Sequence, residues 1–480
     1  MKIKLNRKQL EDKILGCWIG KNIGGTMGGP YEGTREMLDI TGYSTPKGEP
    51  LPNDDLDLQL VWLRAMEQVG PYAMSANILG EYWQVYITPH WNEYGIGKSN
   101  LNKGLLPPLC GEFRNAPWKH SNGAWIRSEV WACMAPGFPN IAIKYAIMDA
   151  CIDHGISEGT YAEIFTTALQ SIAFVENDIR TVVEKALGYI DPECRVAKCV
   201  RLVLEEYDKQ TPYRDVRKML VEQTADLGWF QAPANVGFTV IGLIYGEGDF
   251  KKSMIYAINC GDDTDCTAAT CGAVLGIVAG IEGIPQDWKE YIGDRIITIC
   301  INGSYQRQIA KTCTELTERV MEMIPSVLKA HDIYMEYTDE ADEYDREKAF
   351  GILKGYSSAY MRRSPYSFDV KSGYQWDAVV EYEKEPVIKP GEEFKIRITL
   401  KNRLLQPYHV DVEVHLPEGW SAEYRRTTYI DCNAQYHKPV NTHEITLTAG
   451  EKVCSRNNVV ISVTSPVCPM PLLIPISLLG

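Results

Sequence analysis

Two hydrophobic periods divide this chain. From residue 8 to about residue 330 apolar side chains recur at helical spacing, broken by Gly, Pro and Asn. Beyond about residue 366 they alternate with polar residues, as in Phe394, Ile396, Ile398, Leu400 and again in Val410, Val412, Val414, Leu416. A surface helix buries one stripe every three to four residues and a half-buried strand buries every second residue, so the two segments demand different structures. The first predicts helices over Asn140–Cys151, Gly159–Val175, Asp178–Leu187, Cys194–Tyr207 and Asp287–Ile301. The second predicts strands, with more near Glu444–Leu447 and Val459–Val463 and turns at Lys389-Pro390-Gly391 and Pro417-Glu418-Gly419. The acidic, tyrosine-rich run from Tyr334 to Arg346 fits neither period and reads as a solvated connection. The expected architecture is an all-α domain (1–333), a linker (334–365) and a small all-β sandwich (366–480).

The 480 residues exceed what one hydrophobic core usually serves, which agrees with two domains. The 49 Lys+Arg face 63 Asp+Glu, a net charge of −14 with no compensating basic run, which argues against a nucleic-acid backbone as the main partner. The opening stretch MKIKLNRKQLEDKILGCWIG does not read as a secretory signal, because charges interrupt its apolar residues. No apolar stretch reads as long enough to cross a membrane. The fourteen cysteines are scattered without a CxxC pair, which predicts reduced thiols and a cytoplasmic protein. The strand segment is similar to the immunoglobulin-like modules appended to many bacterial carbohydrate-active enzymes. It carries no catalytic cluster, so an architectural role, or contact between copies in a homo-oligomer, is expected of it ahead of the alternative, sugar binding.

Two acidic clusters lie far apart in the helical segment. The first, Asn53-Asp54-Asp55-Leu56-Asp57, precedes the helical run Leu58–Val69. Asn is a good N-cap and acids suit a first turn, so, taken alone, this cluster reads first as an ordinary acidic helix start. The second, Gly261-Asp262-Asp263-Thr264-Asp265-Cys266, opens onto a run of small apolar residues suited to a buried helix. Acids at the mouth of such a helix need a counter-charge, and a metal ion supplies one. An oxygen-rich donor set favours hard cations such as Mg²⁺, Mn²⁺ or Ca²⁺. The spacing does not fit an EF-hand, which needs a central Gly and a distal Glu.

These clusters, with the N-terminal stretch Leu15–Gly20 and Gly24-Gly25-Thr26-Met27-Gly28-Gly29-Pro30-Tyr31-Glu32, resemble the ordered motifs of the ADP-ribosylglycohydrolase family, related to dinitrogenase reductase-activating glycohydrolase. The resemblance covers roughly residues 8 to 310 and leaves the strand segment outside. It implies a helical catalytic domain with two Mg²⁺ or Mn²⁺ ions. Asn53, Asp54 and Asp55 would hold one side of the metal site, and Asp263, Asp265 and Cys266 the other. Asn53 and Cys266 stand where the family commonly has Ser or Thr, and Gly25 where it has Asp. Glu32 falls on the position of the family's mobile-loop glutamate and, with Asp55, is the expected catalytic carboxylate. Ser121-Asn122-Gly123-Ala124-Trp125-Ile126-Arg127 resembles the family's substrate loop, which assigns Asn122 and Gly123 to substrate binding. Asp153-His154-Gly155 resembles its helix-end His motif, and His154 serves either there or as a cap.

Two carboxylate-held cations activate a bound water and clamp sugar hydroxyls, while a nearby carboxylate moves the proton. Asp57 is placed for that last task or for a sugar hydroxyl, or else is a plain helix acid. Trp91, Tyr94 and Trp118 lie in a loop-like stretch where rings stack on a base or a sugar, or pack the loop. The Gly24–Gly29 run is no dinucleotide fingerprint, since no strand precedes it. The expected reaction is hydrolysis of an N- or O-glycosidic bond in an ADP-ribosyl, ribosyl or related small glycoside. The changes at Gly25, Asn53 and Cys266 point to a small glycoside rather than an ADP-ribosylated protein. The alternative is a non-catalytic, metal-dependent binding protein for a ribosyl ligand.

Overall fold

The computed structural model describes residues 1–372, 376–404, 406–431 and 440–480. Its helical part is organised around two helices, Arg7–Gly28 and Thr264–Gly283, packed against each other along their length. Glycines spaced by four make this contact. A Cβ on Gly20 would lie 2.6 Å from the carbonyl carbon of Gly272, one on Gly16 2.9 Å from the carbonyl carbon of Gly280, and one on Gly28 2.5 Å from Cα of Asp265. Backbone therefore touches backbone with no side chain between, a closer approach than the ~8–10 Å usual between helix axes. Gly280, at φ 68°, bends the second helix near its end. The Thr264 hydroxyl donates to the Gly28 carbonyl at 2.8 Å, tying the C-terminal end of one helix to the N-terminal end of the other. Whatever follows Gly28 and whatever precedes Thr264 must therefore meet in space.

By length and composition the Thr264–Gly283 helix does reach membrane-spanning dimensions, contrary to the expectation above. It is a core helix, buried at most of its positions against the Arg7–Gly28 partner.

Most expected helices occur within a residue or two: Pro139–Ala150, Glu158–Ala173, Ile179–Leu187 capped by Asp178, and Arg195–Asp208 capped by Cys194. The helix expected over Asp287–Ile301 stops at Ile292, because Gly293 takes φ 76° and leaves the helical basin. Segment 334–365, expected as a linker, is built into the fold. Tyr334–Thr338 forms a parallel strand pair with Lys2–Asn6, and the short helices Arg346–Gly351 and Tyr356–Met361 follow. The alternation in KIKLN buries Ile3 and Leu5, so this pair closes one edge of a core that is otherwise helical.

The C-terminal region consists of two antiparallel sheets. One has the order Ser367–Ser372, Trp376–Tyr382, Glu393–Asn402, Val440–Thr448, Ser421–Tyr424, and the other Cys468–Leu478, Asn457–Ser465, Tyr408–His415, Thr427–Ile430. The alternating residues read from the sequence, Phe394 to Leu400 in one sheet and Val410 and Val412 in the other, point into one shared core. Leu105, Leu109, Cys110 and Phe113 of the helical part enter the same core and dock the sheets onto it. The cysteines at 17, 110, 133, 151, 194, 199, 260, 266, 271, 300, 313, 454 and 468 are all free thiols.

Candidate functional site

The loop after Gly28 carries Glu32, and it is stitched to the second acidic cluster by backbone. Gly33 N–H donates to the Asp262 carbonyl at 2.8 Å, and Asp262 N–H to the Thr34 carbonyl at 2.7 Å. Gly261 at φ 77° and Asp262 at φ 69° make the tight turn that delivers Asp263 and Asp265 to the helix mouth. The carboxylate of Asp262 faces away from them, accepting from Phe230 N–H at 3.1 Å and Asn235 Nδ2 at 2.8 Å. The first cluster arrives on the Asp54–Val69 helix, whose N-cap Asn53 accepts from Asp55 N–H at 2.7 Å. Asn53 thus spends its carbonyl oxygen on the cap. Its amide lies against Gly25, where a Cβ would come 3.0 Å from Asn53 Cγ, so glycine at 25 and asparagine at 53 fit each other sterically.

Donor atoms of Glu32, Asp263 and Asp265 lie within 4.8 Å of one another, and so do those of Asp55, Asp265 and Cys266. Asp265 is common to both groups. Asp54 stands beside them and accepts from the Tyr94 hydroxyl at 3.1 Å. The Cys266 thiol donates to Asp55 Oδ1 at 3.2 Å. Burial pushes that thiol well above its ordinary value, so it stays a protonated donor.

Burial, then the neighbouring acids, dominates the electrostatics. Asp54 is pushed up to about 6 by burial and then by Asp265. Asp263 and Asp55 are raised well above the carboxylate range, burial being the largest cause for each. Glu32, exposed at the rim, is pushed up to about 8, first by the charge of Asp265. Against these acids stands a buried cation, Lys21. Lys21 Nζ lies 3.7 Å from Asp55 Oδ2 and 3.1 Å from Glu129 Oε2, and donates to the Ile126 carbonyl at 2.7 Å. Asp55 Oδ2 and Asp265 Oδ1 remain buried without a hydrogen-bond partner among the described residues. Orphaned carboxylate oxygens converging in this way fit a hard divalent cation, which replaces the missing donors and neutralises the acids.

The acids open into a cavity of about 540 Å³. Other cavities in the molecule are as large, so size does not single this one out; its acids and its aromatic walls do. Trp91, Tyr94, Trp118 and Phe230 line it, and Trp91, 49 % exposed, stacks near Tyr94 with ring centroids 6.3 Å apart. Asn122 and Gly123 form another wall. Asn122 Nδ2 donates to Asp263 Oδ2 at 2.6 Å, and its Oδ1 accepts from Trp125 Nε1 at 3.0 Å. Gly123 leaves room for its neighbour, since a Cβ would fall 2.8 Å from Tyr94 Cε1.

Two of the expected substrate residues lie behind this cavity. Asp57 Oδ2 accepts the N–H groups of Ile299 and Cys300, each at 2.6 Å, and so pins the loop whose Ile299 reaches the cavity wall. His154 is fully buried, with Nδ1 2.8 Å from Asp153 Oδ1 and Nε2 3.2 Å from the Ser121 hydroxyl. Asp153 in turn meets Arg127 Nη2 at 2.8 Å, and Arg127 Nη1 donates to the Gly123 carbonyl at 2.6 Å. Burial works to raise Asp153, but Arg127 and His154 outweigh it and hold this carboxyl at about 2. The Ser121–His154–Asp153–Arg127 chain therefore shapes the Asn122-Gly123 wall from behind.

Sequence reasoning missed Glu93. It lies on the Asn92–Asn102 helix, 7 % exposed, lines the cavity beside Gly123, and leaves Oε2 without a hydrogen-bond partner. Burial pushes its carboxyl up to about 7, with nearby His154 opposing. An isolated Glu two residues past Trp91 carries no motif, and only the fold brings it to the acids. Lys21 was equally silent, one of three lysines in the Arg7–Gly28 helix and set in its glycine-rich second half.

The sequence model of the ADP-ribosylglycohydrolase family matches residues 6–324. An uncharacterized protein of Archaeoglobus fulgidus is 25 % identical over 340 residues, 65 % of this chain and 100 % of its own. ADP-ribosylhydrolase ARH3 of Gallus gallus is 22 % identical over 332 residues, 58 % of this chain and 88 % of its own. A solved structure titled ADP-ribosylglycohydrolase-related protein complex aligns with TM-score 0.45 and 18 % identity over 66 % of this chain and 99 % of its own. Because the family match takes in the Glu32 loop and both acidic arms of the cavity, the chain belongs to the ADP-ribosylglycohydrolase family.

Proposed function

We propose that the protein is a metal-dependent glycohydrolase that cleaves the N- or O-glycosidic bond of an ADP-ribosyl, ribosyl or related small glycoside. The observation that carries this reading is the convergence of Glu32, Asp55, Asp263 and Asp265 from two distant segments, with orphaned oxygens, at the floor of an aromatic-walled cavity. Asp55, Asp263, Asp265 and Glu32 would hold divalent cations, a reading supported by two donor groups that share Asp265. Bound there, Mg²⁺ or Mn²⁺ would lower the pKa of a water and polarise sugar hydroxyls.

The chain's own residues supply the rest. Asn122, held by Trp125, fixes Asp263 and presents one wall to the sugar. Trp91, Trp118 and Phe230 stack on the flat part of the ligand and exclude water from its face. Glu93, held near 7 by burial, keeps a protonated population at neutral pH that can give its proton to the leaving-group atom. Glu32, at the rim, is pushed up to about 8 chiefly by the charge of Asp265; cations neutralising Asp265 would let it ionise, and it would then accept a proton from the attacking water or close over the ligand. The C-terminal sheets, which we read as an immunoglobulin-like module, serve architecture or contact between copies, and we place the protein in the cytoplasm.

The test is product release by chromatography from ADP-ribosyl-arginine, ADP-ribosyl-serine and simple ribosides, with and without Mn²⁺. Turnover that requires metal and falls at least about 100-fold in Glu93→Gln, with Mn²⁺ affinity retained, supports the reading. Tight ribosyl binding without turnover of any substrate favours the binding-protein alternative.

A further inference from the structure

A second cavity, of about 480 Å³, lies on the seam between the helical part and the five-stranded sheet. It shares no lining residue with the acidic pocket. Five cationic side chains face it: Lys144 from the Pro139–Ala150 helix, Arg363 beyond the Tyr356–Met361 helix, and Lys371, Lys401 and Arg403 from the sheet side. Two carboxylates face it as well, and each is taken by an arginine. Arg363 Nη1 meets Asp369 Oδ2 at 2.8 Å, and Arg403 Nε meets Asp377 Oδ2 at 2.8 Å. The three lysines make no ion pair among the described residues; Lys371 Nζ reaches only the Met74 carbonyl, at 3.3 Å. Arg363 Nε and Nη2 are buried and have no hydrogen-bond partner among the described residues. Ser75 and Ala76, the N-terminal end of the Ala76–Tyr86 helix, also line the cavity and add the positive end of a helix dipole.

So concentrated a positive field runs against a chain of net charge −14. Its groups also repel one another: burial first, then Lys371 and Arg403, hold Lys144 down at about 8. An anion between them would relieve that repulsion and accept from the unpaired lysine ammonium groups. Planar guanidinium forks, ammonium groups and a helix N-terminus together match phosphate oxygens.

We propose that the seam cavity is a binding site for a small phosphate-bearing anion, with Lys144 and Lys371 gripping it from the helical and sheet sides. Such an anion clamps the two regions together. The site is independent of the acidic pocket and of the reaction assigned to it.

The test is calorimetric titration of inorganic pyrophosphate into the metal-stripped full-length protein at pH 7 and fixed ionic strength, where Lys144 is still charged. The expected result is one saturable site per chain, weakened about tenfold each by Lys144→Gln and Lys371→Gln, as loss of one charge-assisted contact implies. Lys401→Gln, on an exposed side chain, gives an independent reading, and unfolding midpoints confirm that all variants fold. No saturable heat in the parent, or an affinity unchanged in all three lysine variants, overturns the proposal.

Discussion

Replacing Gly20 by Ala tests how the fold brings the two acidic arms together. In an open helix this change stabilises by up to ~1 kcal/mol through propensity alone. Here the new Cβ would lie 2.6 Å from the Gly272 carbonyl carbon and 3.3 Å from Ala273 N, against an ordinary carbon contact of ~3.5–4.0 Å. Both obstacles are backbone, so no rotamer change relieves them and the two helices must separate by about 1 Å. Overpacking of this kind costs ~1–3 kcal/mol, and with nothing free to move the upper end applies, leaving a net loss of about 2 kcal/mol after propensity. The same displacement pulls the Glu32 loop away from Asp263 and Asp265, so Mn²⁺ affinity falls with stability. Urea unfolding and Mn²⁺ calorimetry read both effects. Gly351→Ala is the control, since Gly351 ends an exposed helix and a Cβ there meets nothing within 4 Å. The reasoning is refuted if Gly20→Ala is as stable as the parent and binds Mn²⁺ equally well.

Stability of the metal-free protein should fall as pH rises. Asp57 and Glu93 are both buried and held near 7, above their unfolded values, so the stability they support is full below about pH 4 and is lost as pH climbs through 7. Over that window about 4 kcal/mol is lost at Asp57 and about 3 kcal/mol at Glu93, so the melting midpoint should be lower at pH 8 than at pH 5; a flat profile contradicts the assignment. Mn²⁺ should raise the midpoint more at pH 8 than at pH 5, because its ligands must first be deprotonated. Lys21→Met strands Asp55 and Glu129 without their buried counter-charge and should cost ~3–5 kcal/mol in chemical denaturation. Adding Glu129→Gln should recover part of that loss, and no recovery would show that the pair is not the reason for it.

What the sequence revealed and what it concealed follow physical lines. Period-two alternation from Phe394 to Leu400 and helical spacing from Asn140 to Cys151 are local signals, and the elements formed where those signals lay. The acidic clusters were visible because several like charges at a helix mouth are unusual in one stretch of chain. Glu93 and Lys21 were not, because each is an ordinary residue until the chain folds it against partners far away in sequence. The glycines of Arg7–Gly28 were legible as a motif, but their role as a contact surface needs the facing glycines of Thr264–Gly283, about 250 residues later. Tyr334–Thr338 escaped notice for a related reason: its strand partner, Lys2–Asn6, lies at the other end of the helical part.

The most direct test of the account is calorimetric titration of Mn²⁺ and Mg²⁺ into chelator-treated protein, comparing the parent with Asp55→Asn and Asp265→Asn. Saturable binding in the parent, lost or weakened at least about tenfold in each variant, is predicted, because carboxylates from two distant segments then share one metal centre. Absence of binding in the parent, or affinity indifferent to both substitutions, would contradict a metal centre at the floor of this cavity.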